Sequence, residues 1–505
     1  MSSVAKVFSV APIGFEGHLV EVESDATRGL PSLQIVGLGN KAIDEARERV
    51  KSAITNSLLE YPTRRITINL APAELPKDGT HYDLPIALAI LISSGQVKQE
   101  EIDGAAFAGE LALNGDLRPI RGAITLAETA KSVGLTAIYL PKENIKQASL
   151  VDGIEIIGVD SLKSLFLHLK KEMKIASYVR EYTSSSTRKN PGPNLDDIHG
   201  QEQAKRALII AAAGRHNLLL AGPPGAGKTL LARTLASLLP DLSPSEQIAV
   251  TKLYSLSGEL IDEIQSTRPF RAPHHTASRA ALIGGGTKPK PGEISLAHAG
   301  VLFLDEIPEY TRSVLESLRQ PLEDGRIAIS RANGFVTYPS DFMLIATMNP
   351  CPCGFYGDTS RECSCSMQQI TTYQKRLSGP LLDRIDMTVN VSRVPNETLL
   401  QKTSSHKKQH FNAKTLILKA ATIQTDRYKS GNKNNSNLSN QEIKQHLALS
   451  PDVCQLLLSA TEQLNLSARS YFKLIKVART IADLEGASNI SVSHVGEALQ
   501  YRQNS

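Results

Sequence analysis

Residues 217–229 read NLLLAGPPGAGKT, and the following run, 230–239, reads LLARTLASLL. The first five residues have the character of a short buried strand, and the last ten are apolar at helical spacing. Between them, Gly222-Pro223-Pro224-Gly225-Ala226-Gly227-Lys228-Thr229 fills the pattern G-x-x-x-x-G-K-[ST]. That motif, in the order strand, loop, helix, is a phosphate-binding loop. The glycines allow successive backbone N–H groups to turn inward at the positive end of the helix that follows. Lys228 is expected to reach the β- and γ-phosphates of a nucleoside triphosphate, and Thr229 to place its hydroxyl on Mg²⁺. A strand feeding such a loop predicts an α/β unit with a parallel sheet.

Working outward, Val301-Leu302-Phe303-Leu304-Asp305-Glu306 is a second buried strand that delivers two carboxylates at its C-terminal end. Sheets of this kind bind their ligands at that end. Asp305 suits the Mg²⁺ shell, and Glu306 suits polarisation of an attacking water. A third apolar run, 342–347, leads to Asn349, whose amide is positioned to orient that water. Arg384 lies in an apolar, acid-flanked turn, Leu381-Leu382-Asp383-Arg384-Ile385-Asp386. Its two readings are a local ion pair and a guanidinium donated to the γ-phosphate of a neighbouring subunit. Arg469 opens a helix near the C-terminus. It is read either as a plain helix residue or as a sensor that folds over the nucleotide.

The chain has 505 residues, which suggests about three domains. With 41% apolar and 21% charged residues it has ample material for packed cores, which excludes a disordered or fibrous chain. Net charge is only +5, so any polyanion-binding surface must be local. Tryptophan is absent and aromatics are 5%, which argues against a carbohydrate-binding protein. Strand-like runs at 7–10, 19–22, 65–70 and 155–157 alternate with helical patterns at 41–57, 84–94 and 123–133. The expected division is an α/β domain at 1–170, a Ser/Thr/Pro/Gly-rich linker at 171–194, an α/β core at 195–394 and a helical region at 395–505. The Asn-rich stretch 429–440 is expected to be an exposed loop. No repeat, secretory leader or membrane-length apolar run occurs, so a cytoplasmic protein is expected.

All five cysteines lie beyond residue 350, and Cys351, Cys353, Cys363 and Cys365 fall on one short stretch directly after Asn349. A disulfide scaffold would spread them; a local group of thiols points to a reduced compartment. Structural Zn²⁺ held by four thiolates is the preferred reading, and four free thiols the alternative. Cys454, in a helical run, is expected to be a buried packing residue. Two segments are candidates for contact with a nucleic-acid backbone. One is Gly284-Gly285-Gly286-Thr287-Lys288-Pro289-Lys290-Pro291, with cations Lys288 and Lys290. The other is a hairpin at 326–337 carrying Arg326 and Arg331 around an Ala-Asn-Gly turn. Ordinary solvated loops are the alternative. The His274/His275 pair has no evident third metal ligand, and Lys407, Lys408, Lys414 and Lys419 read as a solvated face.

Taken together, GPPGAGKT, VLFLDE, ATMNP (346–350), SGPLLDRID (378–386), the SAR-containing tail (467–469) and RPFRAPHHTASRAALIGGGTKPKPGEISLAHAG (268–300) resemble a magnesium-chelatase-like AAA+ ATPase. The whole chain resembles the bacterial ComM/YifB family. That resemblance implies a Lon-protease-like (S5-like) α/β N-terminal domain, an AAA+ P-loop α/β core and a helical C-terminal lid domain. It also implies the roles of sensor 1 for Asn349, arginine finger for Arg384 and sensor 2 for Arg469. The activity implied is that of an ATP-driven hexameric ring, a helicase that branch-migrates single-stranded and branched DNA during natural transformation alongside recombination proteins. Two rivals are a magnesium-chelatase-type ATPase subunit and a protein-remodelling AAA+ chaperone. Similar Lon domains carry a nucleophilic Ser where this chain has His81, in Pro76-Lys77-Asp78-Gly79-Thr80-His81, and a Lys where it has Ile124. A Ser–Lys dyad needs both groups, so no peptidase activity is expected.

Overall fold

The computed structural model describes residues 4–37, 41–180, 192–260, 263–286, 290–331, 334–358, 361–394, 408–431, 433–464 and 466–502. Its N-terminal part is a seven-stranded mixed sheet. The strands are β1 (Ala5–Ile13), β2 (Glu16–Thr27), β3 (Ser32–Val36), β4 (Arg65–Ala71), β5 (Ala105–Phe107), β6 (Ala137–Pro141) and β7 (Glu155–Val159), in the order β3-β4-β2-β1-β5-β6-β7. Strands β1 and β2 form an antiparallel hairpin whose turn places Gly14 at φ +63°. Residues 7–11 and 20–26 alternate between faces, which buries Val7, Val20 and Val22.

Of the helices on this sheet, α1 (Lys41–Asn56) and α3 (Ala123–Ser132) are amphipathic, whereas α2 (Asp83–Ser93), DLPIALAILIS, is apolar almost all round. A helix of that composition must be enclosed, and every residue of α2 from Asp83 to Leu91 is buried. Asp83 is tolerated there because Arg49 donates to both of its oxygens, at 2.8 and 3.0 Å.

His81, just ahead of α2, is also enclosed, with Nε2 3.0 Å from the carbonyl of Val10. Burial pushes its pKa down to about 4, and burial pushes that of Asp83 up to about 6 against the pull of Arg49. The two act in opposite senses. On acidification the unfolded state gains a proton at residue 81 before the folded state does, which destabilises the fold between pH 6.5 and 4. The folded state keeps a proton on Asp83 below pH 6, which stabilises it. A His81→Gln variant should therefore gain stability relative to the parent, by about 3 kcal/mol, between pH 7 and pH 4. Hydrogen-exchange protection of α2 at the two pH values measures this; an unchanged difference would show that the ring is not held neutral.

The central part is a five-stranded parallel sheet: β8 (Leu218–Ala221), β9 (Phe270–Arg271), β10 (Val301–Leu304), β11 (Met343–Met348) and β12 (Met387–Asn390), in the order β9-β10-β11-β8-β12. Strands β10 and β11 are buried throughout, as their unbroken apolar runs require. Helices α4 (Glu202–Gly214), α5 (Lys228–Leu238) and α6 (Pro244–Ser257) cover it. The N-terminal part docks on α6: the N–H of Gly122 donates to Ser255 Oγ at 3.0 Å, and Lys252 bonds Glu128 at 2.5 Å over the ring of Phe15.

The C-terminal part is helical. Its longest members, α8 (Gln409–Tyr428) and α9 (Ala468–Leu484), share one core with α4 and α5. Three expectations change here. The stretch 429–440 is exposed only in part: Asn435 is 0% exposed, with its amide donating to Asp483 (2.8 Å) and Thr480 (3.0 Å) and its oxygen accepting from Tyr428 (2.5 Å). Polar composition was misleading because this asparagine is satisfied on both sides inside the fold. Cys454 is half-buried rather than enclosed. The start of the supposed linker runs along the N-terminal sheet, with Tyr178 donating to the carbonyl of Ile156 (2.8 Å) and Ile175 packed against that core. No helix among the described residues is long and apolar enough to cross a membrane.

Candidate nucleotide site and its outlying arginines

Three adjacent strands, β10, β11 and β8, release their chains at the same edge of the central sheet. Beyond β8 the chain enters the glycine-rich loop. Gly222 lies so close to β12 that a Cβ there would stand 2.1 Å from the carbonyl oxygen of Val391, so no larger residue fits. Gly225 and Gly227 adopt φ of +76° and +83°, the left-handed region that glycine enters without cost. A Cβ at either would meet nothing within 4 Å, so the fold leaves space beside both glycines. Lys228, the first residue of α5, is buried, and its ammonium donates to the carbonyls of Gly222 (2.5 Å) and Pro223 (2.9 Å) and to Asn349 Oδ1 (3.1 Å). Burial lowers its pKa, opposed by the charges of Asp305 and Glu306.

Asp305 follows β10 and accepts from Thr229 Oγ1 (3.3 Å) and Thr347 Oγ1 (2.5 Å). The next residue, Glu306, is held at φ +50°, strained for a side chain with a Cβ, and its N–H donates to the same Thr347 hydroxyl at 2.9 Å. Its carboxylate accepts from Asn349 Nδ2 at 3.4 Å. One asparagine thus touches both the loop lysine and the acid. Thr347 was not singled out from the sequence; its place two residues before Asn349, where the apolar strand runs out, was the available signal. Gln201 was also missed. It caps the site from α4 by donating to the carbonyls of Ala226 (2.7 Å) and Ser392 (3.2 Å). An open loop of N–H donors, a buried cation and a paired hydroxyl and carboxylate fit a triphosphate with a hard divalent ion held by Thr229 and Asp305.

The four cysteines converge. Their sulfurs all lie within 4.8 Å of one another, with Cys351–Cys353 at 3.3 Å, Cys353–Cys363 at 3.5 Å and Cys351–Cys363 at 3.6 Å. A tetrahedron of thiolates around Zn²⁺ has edges of about 3.8 Å, so the set fits that ion. The N–H groups of Tyr356 and Cys365 already point at Cys351 (3.3 Å) and Cys363 (3.4 Å), as outer-shell donors to thiolate do. Gly354, at φ +85°, is seated on the phosphate loop: a Cβ there would stand 2.6 Å from Pro224 Cδ. The purified chain should carry about one zinc per protomer. A double Cys351→Ser, Cys363→Ser variant should lose it and melt about 5–10 °C lower, the shift that about 2–3 kcal/mol produces in a domain of this size. Metal analysis with calorimetry checks this, and a metal-free parent would refute it.

Arg384 and Arg469 stand elsewhere. They line an open cavity of about 720 Å³ together with Asn217, Phe342 and Asp386. Those three residues immediately precede β8, β11 and β12, so the cavity lies at the opposite edge of the sheet from the phosphate loop. Arg469 therefore does not fold over the nucleotide of its own chain. The physical reason is the anchoring of α9: one turn on from Arg469, the half-buried Lys473 bonds the buried Asp386 at 2.7 Å. Burial would raise that carboxylate's pKa, yet Lys473 and His216 hold it far below the usual range, so Asp386 is ionised. Arg384 makes a local ion pair, with Glu323, and Arg469 reaches the same carboxylate at 2.6 Å.

Of the candidate DNA residues, Lys290 is exposed and pairs with Gly285 in a two-residue strand, and Arg326 is exposed at the base of a hairpin of Arg326–Arg331 with Gly334–Pro339. Lys288 and the side chain of Arg331 lie outside the described residues. The hairpin buries Ile327, Ile329, Val336 and Tyr338 and leaves Phe335 66% exposed. A Cβ on Gly284 would approach Ile329 to 3.2 Å, so the two segments stand side by side.

Three family models match in chain order: "Subunit ChlI of Mg-chelatase" over residues 22–144, "Magnesium chelatase, subunit ChlI" over 194–399 and "Magnesium chelatase, subunit ChlI C-terminal" over 409–502. The chain is 44% identical to competence protein ComM of Haemophilus influenzae over 504 residues, 99% of this chain and 97% of that protein. It is 42% identical to the protein YifB of Escherichia coli K12, with the same two shares. Its likeness to the magnesium-chelatase 67 kDa subunit of Heliobacterium mobile is 31% over 193 residues, 32% of this chain and 29% of that one. The phosphate loop, the acid pair and the helical C-terminal part all lie within matched segments, and the chain belongs to the ComM/YifB family of magnesium-chelatase-like AAA+ proteins.

Proposed function

We propose that the protein is an ATP hydrolase that works as a ring, most simply a hexamer, and moves DNA strands. Its task on this reading is branch migration that helps incoming DNA integrate by homologous recombination in the cytoplasm. The observation that carries the proposal is the split site. The groups that bind phosphate, Mg²⁺ and water (Lys228, Thr229, Asp305, Glu306, Asn349) gather at one edge of the sheet, and the two arginines suited to a γ-phosphate open at the other. Stacking the first edge of one protomer on the second edge of the next completes both. Hydrolysis is then tied to assembly, and the role expected of Arg469 is served across the interface.

Within that site Lys228 binds the β/γ-phosphates and the loop N–H groups enclose them. Thr229 and Asp305 would hold Mg²⁺, which would offset phosphate charge when bound. Glu306, set by Asn349 and Thr347, orients and deprotonates the attacking water. The neighbour's Arg384 and Arg469 offset the charge that develops in the transition state. The paired segments around Lys290 and Arg326 would line the lumen and contact the DNA backbone without reading sequence. Cys351, Cys353, Cys363 and Cys365 would together hold a structural zinc, which would keep the loop against Pro224.

Similarity to a protein named for competence supports the DNA reading. A chelatase-type motor is the second reading, favoured by the family models, but its named subunit shares only a third of this chain. An ATP-dependent assay on labelled three- and four-strand junctions, with Lys228→Ala as control, tests the proposal. Strand exchange by the parent alone is expected. ATPase activity that ignores forked and four-way DNA would favour the chelatase or chaperone readings.

A further inference from the structure

Glu323 is the last acid but one of a short helix, α7 (Arg319–Asp324), and no motif of the sequence drew attention to it. Its two oxygens are divided between the two outlying arginines: Oε2 accepts from Arg384 Nη2 and Oε1 from Arg469 Nη2. The same helix holds Arg384 a second time, through Nε to the carbonyl of Arg319 at 3.0 Å, and Nη1 is taken by the carbonyl of Pro380 at 2.7 Å. All three nitrogens of the Arg384 guanidinium are thus engaged within its own protomer, and its side chain is only 14% exposed. A guanidinium so tied, with its charge matched by a carboxylate, is poorly placed to stabilise a neighbour's γ-phosphate; Glu323 must let go first.

What could move Glu323 is written in the chain. Gly325, at φ +63°, turns the helix directly into Arg326, the base of the hairpin, where Arg326 faces Pro339 and Ser340 donates to the carbonyl of Gly325 at 2.8 Å. Only two residues, Asp324 and Gly325, therefore separate the shared carboxylate from the first residue of the segment assigned to DNA. The hairpin's buried face is packed on the core, so a pull on it is carried to its base rather than absorbed along its length.

We propose that Glu323 is a positioning residue that holds Arg384 and Arg469 withdrawn, and that strand engagement by the hairpin releases them. The proposal rests on the reading of the two arginines as trans-acting groups. The test is steady-state ATPase of the full-length protein with and without four-way DNA, at protein concentrations where the parent is assembled. Glu323→Gln keeps the side chain's shape but not its charge. It should raise the DNA-free kcat about fivefold at unchanged KM for ATP, and the stimulation by DNA should fall toward unity. Glu323→Asp, which keeps the charge, should restore the low DNA-free rate. Adding Arg384→Ala to Glu323→Gln should abolish the gain. A DNA-free kcat at or below the parent's in Glu323→Gln, or a gain that survives loss of Arg384, overturns the proposal. A parent that ignores DNA overturns the DNA-motor reading instead, and the holding role is still decided by the DNA-free rates.

Discussion

Arg384→Ala should lower kcat for ATP by about a thousandfold while leaving nucleotide affinity within twofold of the parent, because a transferred arginine contributes to the transition state and not to ground-state binding. The geometry makes the expectation specific. Arg384 opens on the cavity that precedes β8, β11 and β12, whereas Lys228, Asp305 and Glu306 follow β8 and β10, so the arginine cannot serve the nucleotide of its own chain. On the ring proposal its loss is felt by the neighbour. Two measurements separate this from a local defect. ATPase of the parent should rise more than linearly with protein concentration through assembly. A mixture of Arg384→Ala and Lys228→Ala protomers should regain turnover, since some interfaces pair an intact loop with an intact arginine. Turnover by Arg384→Ala equal to the parent's, or no recovery in the mixture, would remove the trans assignment.

How much of this could be read from the residues depended on the range of the interaction. The phosphate loop was legible because strand, glycines, Lys228 and helix are contiguous, and each has a local physical reason to be there. Asp305, Glu306 and Asn349 were legible because buried parallel strands deliver polar groups at their C-terminal ends. The cysteine group was legible because thiols crowded on one short stretch have few other uses. Thr347 escaped, since a threonine on an apolar strand reads as packing until the facing carboxylate is seen at 2.5 Å. The placement of Arg469 escaped because it is decided by Lys473 and Asp386, residues 87 apart in sequence that pair only in the fold. Asn435 misled for the same reason, its partners Thr480 and Asp483 lying on a distant helix. Glu323 carried no signal at all: its meaning comes from two arginines that approach it from separate parts of the chain.

Glu306→Gln is expected to act in the opposite way from loss of Lys228. Removing the lysine should weaken nucleotide binding, because the ammonium has no other route to the β/γ-phosphates. Replacing Glu306 should leave binding intact and trap ATP, because in the proposed mechanism the acid acts on the water and not on the phosphate. The substitution keeps the side chain's size, so the left-handed backbone at residue 306 and its N–H bond to Thr347 need not change. What is lost is the negative charge that accepts a proton, and general-base catalysis of this kind is worth about 10²–10⁴ in rate. Because Asn349 bridges Lys228 (3.1 Å) and Glu306 (3.4 Å), the amide would still report the phosphate to residue 306, and only the chemical step should stall. The measurement is single-turnover hydrolysis of radiolabelled ATP together with nucleotide retained through gel filtration. The expected result is assembled protein holding unhydrolysed ATP, with a rate constant reduced at least a hundredfold. Retained ADP would mean that another group activates the water, and loss of nucleotide would mean that Glu306 belongs to the binding set with Lys228.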